Sequence, residues 1–199
     1  MIFRNLPDPS GPGPGLEKRL QSLEQQADIA LPGFDGQFFN RAGDLCAESG
    51  DRPRALHYYG RAIDAYLRAG RYNAGGAVCR KVLRVSPGAV RARCTLAWLS
   101  IGKGLLGDAR REIDEYVEAA VAAGEASLAR RQLRLMAEAS PDRGLRSVLA
   151  DHLVKLGDPE EARRIAAAEP EETVEEAEAL WSRVVRAALM GPDDLREAG

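Results

Sequence analysis

The sequence predicts an all-α fold in which similar groups of helices stack on one another, and three observations support this. A block of the chain returns at a fixed spacing of 54 residues. Apolar residues follow the three-and-four spacing of helices, and no segment sustains the alternation expected of a strand. Alanine is abundant while aromatic residues make up only 6% of the chain, which favours closely packed helices over a sheet.

The repeated block runs from Gly50 to Pro87 and returns from Gly104 to Pro141. A partial third copy begins at Gly157. The matching pairs are Gly50/Gly104, Ala55/Ala109, Ala65/Ala119, Ala69/Ala123, Gly70/Gly124, Arg80/Arg134, Ser86/Ser140 and Pro87/Pro141. Because such a unit buries its apolar face only against its neighbour, the spacing predicts a continuous stack of helices.

Residues 1–15 are rich in proline and glycine, and we expect them to form a flexible or extended arm. The arm begins with the apolar lead Met1-Ile2-Phe3, followed by Leu6. Phe3 is therefore a candidate contact, either with a partner or with a groove of the protein itself. The alternative is a frayed terminus without a role.

The remaining elements follow from apolar spacing and from the glycines and prolines between them. Residues 16–36 form an N-terminal helix and linker, residues 37–168 the repeats, and residues 169–199 a last helix with a polar tail. The connections are short, so neighbouring helices should lie antiparallel. Helices are expected over 16–28, 38–49, 54–69, 73–85, 90–101, 108–123, 126–139, 143–156, 159–168 and 173–190.

The last predicted helix begins with a capping box, Thr173-x-x-Glu176. Its apolar stripe includes Val174, Trp181 and Val185. Such a helix could cover the exposed apolar end of the stack, with Trp181 as its anchor. Alternatively, it is a mobile arm that docks on another subunit.

The turns and small residues of this chain resemble those of tetratricopeptide repeats over roughly residues 37–168. The matching residues are Gly43, Ala55, Tyr59, Ala62, Gly70, Tyr72, Cys79, Pro87, Gly124, Ala129, Leu133, Met136 and Pro141. The resemblance implies a right-handed superhelix of antiparallel helix pairs with a groove for peptides or helices. The chain departs from the family pattern in having a period of three helices, so which helices line the concave face stays open.

The net charge, the cysteines and the lack of long apolar runs argue against a nucleic-acid-binding, secreted or membrane protein. The net charge of −2 argues against broad electrostatic binding to nucleic acid. The three cysteines sit singly in helical patterns, which favours buried thiols in a reducing cytosol. The N-terminus lacks the apolar core of a signal peptide, and no apolar run approaches the length of a membrane span. We expect a soluble protein of the cytoplasm.

We expect no enzyme activity, no cofactor and no metal site. Gly102-x-Gly104-x-x-Gly107 matches a dinucleotide fingerprint, but it follows a predicted helix where that fingerprint needs a strand. His57 and His152 are the only histidines, and both are interpreted as helix-surface or boundary residues. No serine or cysteine stands in a recognisable nucleophile context.

Two basic clusters are the candidate binding residues, together with Trp181 and Phe3. Because they flank Pro87 and Pro141 at equivalent places, they indicate a basic stripe that could bind an acidic protein segment or, less favourably, RNA phosphates. The alternative is a solvated face paired with neighbouring carboxylates. The clusters comprise Arg80, Lys81, Arg84, Arg91 and Arg93, and then Arg130, Arg131, Arg134, Arg143 and Arg146.

The sequence thus predicts a non-catalytic adaptor or scaffold that binds a partner protein through the repeat groove. One alternative is a structural subunit built into a larger complex through its terminal segments, and another is an RNA-associated regulator. The Lys and Asn pattern of the family's carboxylate clamp is not reproduced around Asn40 and Asp44. Binding of chaperone C-terminal tails is therefore not expected.

Overall fold

The computed structural model describes residues 14–31 and 33–168, together with positions 182 and 185. Regular secondary structure within these residues is entirely α-helical, which confirms the all-α prediction. No helix in this part of the chain has the length and apolar character required to cross a lipid bilayer. The helices are α1 (Pro14–Asp28), α2 (Asp35–Glu48), α3 (Arg52–Arg68), α4 (Tyr72–Val85), α5 (Val90–Gly102), α6 (Leu106–Ala122), α7 (Ala126–Ala139), α8 (Arg143–Lys155) and α9 (Pro159–Ala167).

The helix bounds lie close to those expected from apolar spacing. The largest difference is at α2, which begins at Asp35 and not at Phe38. Its first turn is polar apart from Gly36, so the apolar stripe starts only after the helix has begun. Similarly, α1 begins at Pro14, inside the segment expected to form the arm.

The structure shows the three-helix period in the lengths of the helices. The helices α3 and α6 each contain 17 residues, α4 and α7 each contain 14, and α5 and α8 each contain 13. The helix α9 then occupies the place of α3 and α6 in a third copy. The 54-residue spacing of the sequence therefore corresponds to a repeated set of helices.

The repeat glycines occupy equivalent turns. Gly50, Gly104 and Gly157 precede α3, α6 and α9 with φ angles of +79°, +67° and +81°. This left-handed conformation costs glycine little free energy, whereas any residue with a Cβ would be strained there. Glycine at these positions ends one helix and allows the chain to enter the next.

The helices α1, α2 and α3 form a compact unit that ends at Ala69. The helix α2 packs against both of its neighbours. Its crossing with α3 is close because Gly36 and Gly43 face the rings of Tyr66 and Tyr59. The Tyr59 hydroxyl donates to Asp44 across 2.8 Å and so holds its ring over Gly43.

The second compact unit starts at Gly70 and contains α4 to α9. Consecutive helices pack on each other, and α5, α6 and α7 also contact α7, α8 and α9, respectively. A continuous core runs from α5 to α9, and its fully buried side chains include Trp98, Ile113, Leu133 and Leu149. Each helix of this unit therefore shares apolar surface with its near neighbours, as expected for stacked repeats.

Candidate binding surface

The first basic cluster is divided between exposed and engaged side chains. Arg80 and Arg84 lie one turn apart on α4, and both are exposed; they are named here the α4 patch. Lys81 lies between them and is half-buried with an interaction of its own. Arg91, in the first turn of α5, is exposed and also interacts with another group.

Arg93 joins the α4–α5 connection to α6. Its Nε and Nη2 atoms donate to the carbonyl oxygen of Pro87 across 3.2 and 3.0 Å, and its Nη1 atom pairs with Glu115 of α6. The guanidinium group therefore holds the α4–α5 connection against α6. A partner would have to break these bonds to reach Arg93.

The second cluster is engaged in the same structural manner. Arg130 donates through Nη1 to the carbonyl oxygen of Leu156 across 2.9 Å. Arg134 donates through Nη2 to Asp158 Oδ2 across 2.5 Å. Both bonds tie α7 to the α8–α9 connection.

The other arginines of the second cluster are partly covered or have interactions of their own. Arg131 is half-buried. Arg146 similarly donates to the carbonyl oxygen of Ile165 across 3.0 Å, and Arg143 has an interaction of its own.

One substitution within the repeat explains why Arg134 is paired and its equivalent, Arg80, is exposed. Asp158 follows the repeat glycine Gly157 and is the N-cap of α9. In the preceding copy, Leu105 takes this place as the N-cap of α6, without a capping side chain and 48% exposed. The N-cap carboxylate that pairs with Arg134 therefore has no equivalent at Leu105, the corresponding position for Arg80.

Arg80 interacts electrostatically with Glu112 of α6. The pKa of Glu112 is raised, mainly by burial and then by the neighbouring Glu115, while Arg111 and Arg80 oppose the rise. Arg80 thus lies close enough to α6 to favour a negative charge there.

Acid should weaken the Arg134–Asp158 pair. The hydrogen bond from Arg134 lowers the pKa of Asp158, so the folded protein holds this carboxylate ionised more strongly than the unfolded chain does. The resulting stabilisation is present above the unfolded pKa of about 3.9 and is lost as pH falls through the folded value. Asp158→Asn should therefore destabilise the protein more at about pH 7 than at about pH 3, as measured by urea denaturation.

Asp151→Asn, on the exposed face of α8, is the matched control and should change stability little at either pH. Equal losses for Asp158→Asn at both pH values would show that the carboxylate charge does not contribute. Asp51 is expected to respond to acid in the same direction, because its bond with Arg54 also lowers its pKa.

The expectation for the two histidines is half right. His57 is exposed on α3, as predicted. His152 is buried, and its Nε2 lies 2.7 Å from Asp114 Oδ1 of α6, so its interpretation as a surface or boundary residue was wrong. The sequence held no local signal for this pair, because its members lie 38 positions apart on α6 and α8.

The three cysteines and the fingerprint-like glycines lie where they were expected. Cys46, Cys79 and Cys94 are buried free thiols, and burial raises the pKa of Cys94 to about 12. The fingerprint-like glycines lie at the end of α5 and the start of α6, which confirms a turn between helices. The described residues contain no group of His, Cys, Asp or Glu side chains that could hold a metal ion.

Trp181 and Phe3 lie outside the described residues, as do most of the predicted last helix and residues 1–13. Within that helix, Ser182 and Val185 are described and are helical, with Val185 half-buried. No family model matches the chain, and no curated protein matches it either.

Proposed function

We propose that this protein is a non-catalytic, tetratricopeptide-like interaction module that binds an acidic segment of a partner protein through Arg80 and Arg84. The repeated helix lengths support a repeat protein, a class that uses its extended surface to hold peptides or helices.

The observation that carries the proposal is the difference between Leu105 and Asp158. In the second copy the protein supplies its own carboxylate to Arg134. At the start of the second copy the apolar Leu105 stands in the place that Asp158 takes in the third, and Arg80 of the first copy is exposed. A partner carboxylate would complete the pair that the repeat forms elsewhere, and charge-assisted hydrogen bonds are among the stronger polar contacts.

Reversing the charges of the α4 patch should release the partner. The Arg80→Glu/Arg84→Glu variant should weaken a stoichiometric complex purified from the native cell by about tenfold or more, since it removes two charge-assisted contacts. The measurement is the dissociation constant of the purified partner by calorimetry. Lys18→Glu/Arg19→Glu is the matched control, because it reverses two exposed charges on α1. Arg134 stays unchanged, because its reversal would break the bond to Asp158.

A Leu105→Asp variant provides an independent arm of the same experiment. It places a carboxylate at the N-cap of α6, where Asp158 stands in the next copy, so it should compete with the partner for Arg80. A new N-cap should also stabilise the protein by about 1 kcal/mol. Higher stability combined with unchanged binding would contradict a role for Arg80.

Two results would favour the alternative functions. A complex that survives reversal of the α4 patch but is lost on deletion of residues 171–199 would indicate an assembly subunit. Salt-sensitive retention on RNA that is lost with the same reversal would indicate an RNA-associated regulator.

A further inference from the structure

The connection between α1 and α2 presents three large apolar side chains to solvent within six residues. Ile29, Leu31 and Phe34 are 85%, 73% and 52% exposed, and the three are named here the α1–α2 patch. Single exposed apolar residues are normal, whereas several together mark a surface that is covered by something else.

The α1–α2 patch lies on a turn that is closed by a backbone hydrogen bond. The Phe34 N–H donates to the carbonyl oxygen of Leu31 across 2.9 Å. Gly33, with φ of +87°, lies so close to the end of α3 that a Cβ there would be 2.7 Å from the Ala69 Cβ. The backbone of the connection therefore packs against the C-terminal end of α3 at Ala69.

The segment that fits the α1–α2 patch is the apolar lead of the same chain, residues 1–6. Ile2, Phe3 and Leu6 supply apolar surface, and Arg4 supplies the only charged side chain. The patch is flanked by Asp28 and Asp35. The apolar side chains of the segment would meet those of the patch, and Arg4 would lie near Asp28 and Asp35. The two surfaces are therefore complementary in apolar character and in charge.

The chain between this segment and α1 has the required length. The helix α1 contains 15 residues and so spans about 22 Å between its start and the patch. Residues 7–13 are Pro-Asp-Pro-Ser-Gly-Pro-Gly, and seven residues would span about the same distance at about 3.1 Å per residue in the conformation that proline favours. A reversal at Gly13 would direct this spacer back along α1.

We propose that residues 1–6 fold back along α1 and dock on the α1–α2 patch of the same molecule. Docking would remove the exposed apolar cluster from solvent. It would also keep the patch from pairing with other chains until the segment is displaced.

Trypsin cleavage after Arg4 tests the proposal on the full chain. Leu31→Ser, at an exposed position, should increase the rate of that cleavage by about tenfold, because a docked segment is cleaved only when it opens. Leu105→Ser, at an exposed leucine in the other unit, is the control and should leave the rate unchanged.

Hydrogen exchange gives the reciprocal measurement. Phe3→Ser should raise the exchange rate of residues 28–35 without altering that of α5 to α8. Unchanged cleavage in Leu31→Ser together with unchanged exchange in Phe3→Ser would overturn the proposal. A dimer in light scattering that disappears when residues 1–6 are deleted would also overturn it, since the segment would then dock on a second copy.

Discussion

Replacing Gly43 with alanine should lower the free energy of unfolding by about 1–3 kcal/mol, the range measured for overpacked cores. A Cβ at this position would lie 2.5 and 2.6 Å from Cδ1 and Cε1 of Tyr59. The ring cannot swing away cheaply, because Tyr59 is 3% exposed and its hydroxyl bonds to Asp44 on the same helix as Gly43. The helices α2 and α3 would have to separate to admit one methyl group.

Gly60→Ala is the matched control for this prediction. Gly60 also lies inside a helix, α3, but a Cβ there would meet nothing within 4 Å. Alanine favours helix over glycine by about 1 kcal/mol, so this variant should be more stable than the parent. Urea denaturation followed by circular dichroism compares the two. If both variants are stabilised alike, the α2–α3 crossing does not depend on the small residue.

Truncating Trp98 to alanine should cost about 3–5 kcal/mol, the range for large aromatic residues in cores. Its side chain is fully buried in the core of the second unit. Its indole N–H donates to Gln132 Oε1 across 2.8 Å, which joins α5 to α7. The change leaves a cavity and removes the donor from a buried amide, so two separate penalties act together.

Two further variants separate those penalties. Trp98→Phe retains most of the apolar volume and removes the donor, so we expect a smaller loss, of about 1–3 kcal/mol. Leu105→Ala truncates a half-exposed side chain in the same unit and should change stability by less than about 0.5 kcal/mol. Chemical denaturation of the three proteins gives the order. A loss in Trp98→Ala no larger than that in Leu105→Ala would contradict the assigned core.

The positions of the helices were largely predictable because their signals are local. The expected and observed bounds of α7 coincide at Ala126 and Ala139, where a repeat glycine and a Ser-Pro pair mark the two ends. The three-helix period was also visible, since equivalent glycines and prolines recur at one spacing. Apolar spacing likewise marked the buried faces, including those that carry the three cysteines.

The roles of the charged residues were not predictable in the same way. Arg80 and Arg134 occupy equivalent places in the sequence, yet Arg134 bonds to Asp158 while Arg80 is exposed. The difference depends on a partner 24 positions away, and residue type alone does not show which carboxylate comes within reach. The pair of His152 and Asp114 escaped prediction for the same reason.

The sequence by itself determined an all-α chain, the approximate positions of its helices and a repeat of three of them. These properties depend on near neighbours along the chain, namely helix periodicity and the conformations of glycine and proline. Only the tertiary structure decided which glycines admit tyrosine rings, which arginines bind the protein's own carbonyl and carboxylate groups, and which remain exposed. Those outcomes depend on distances between helices, which local sequence patterns do not encode.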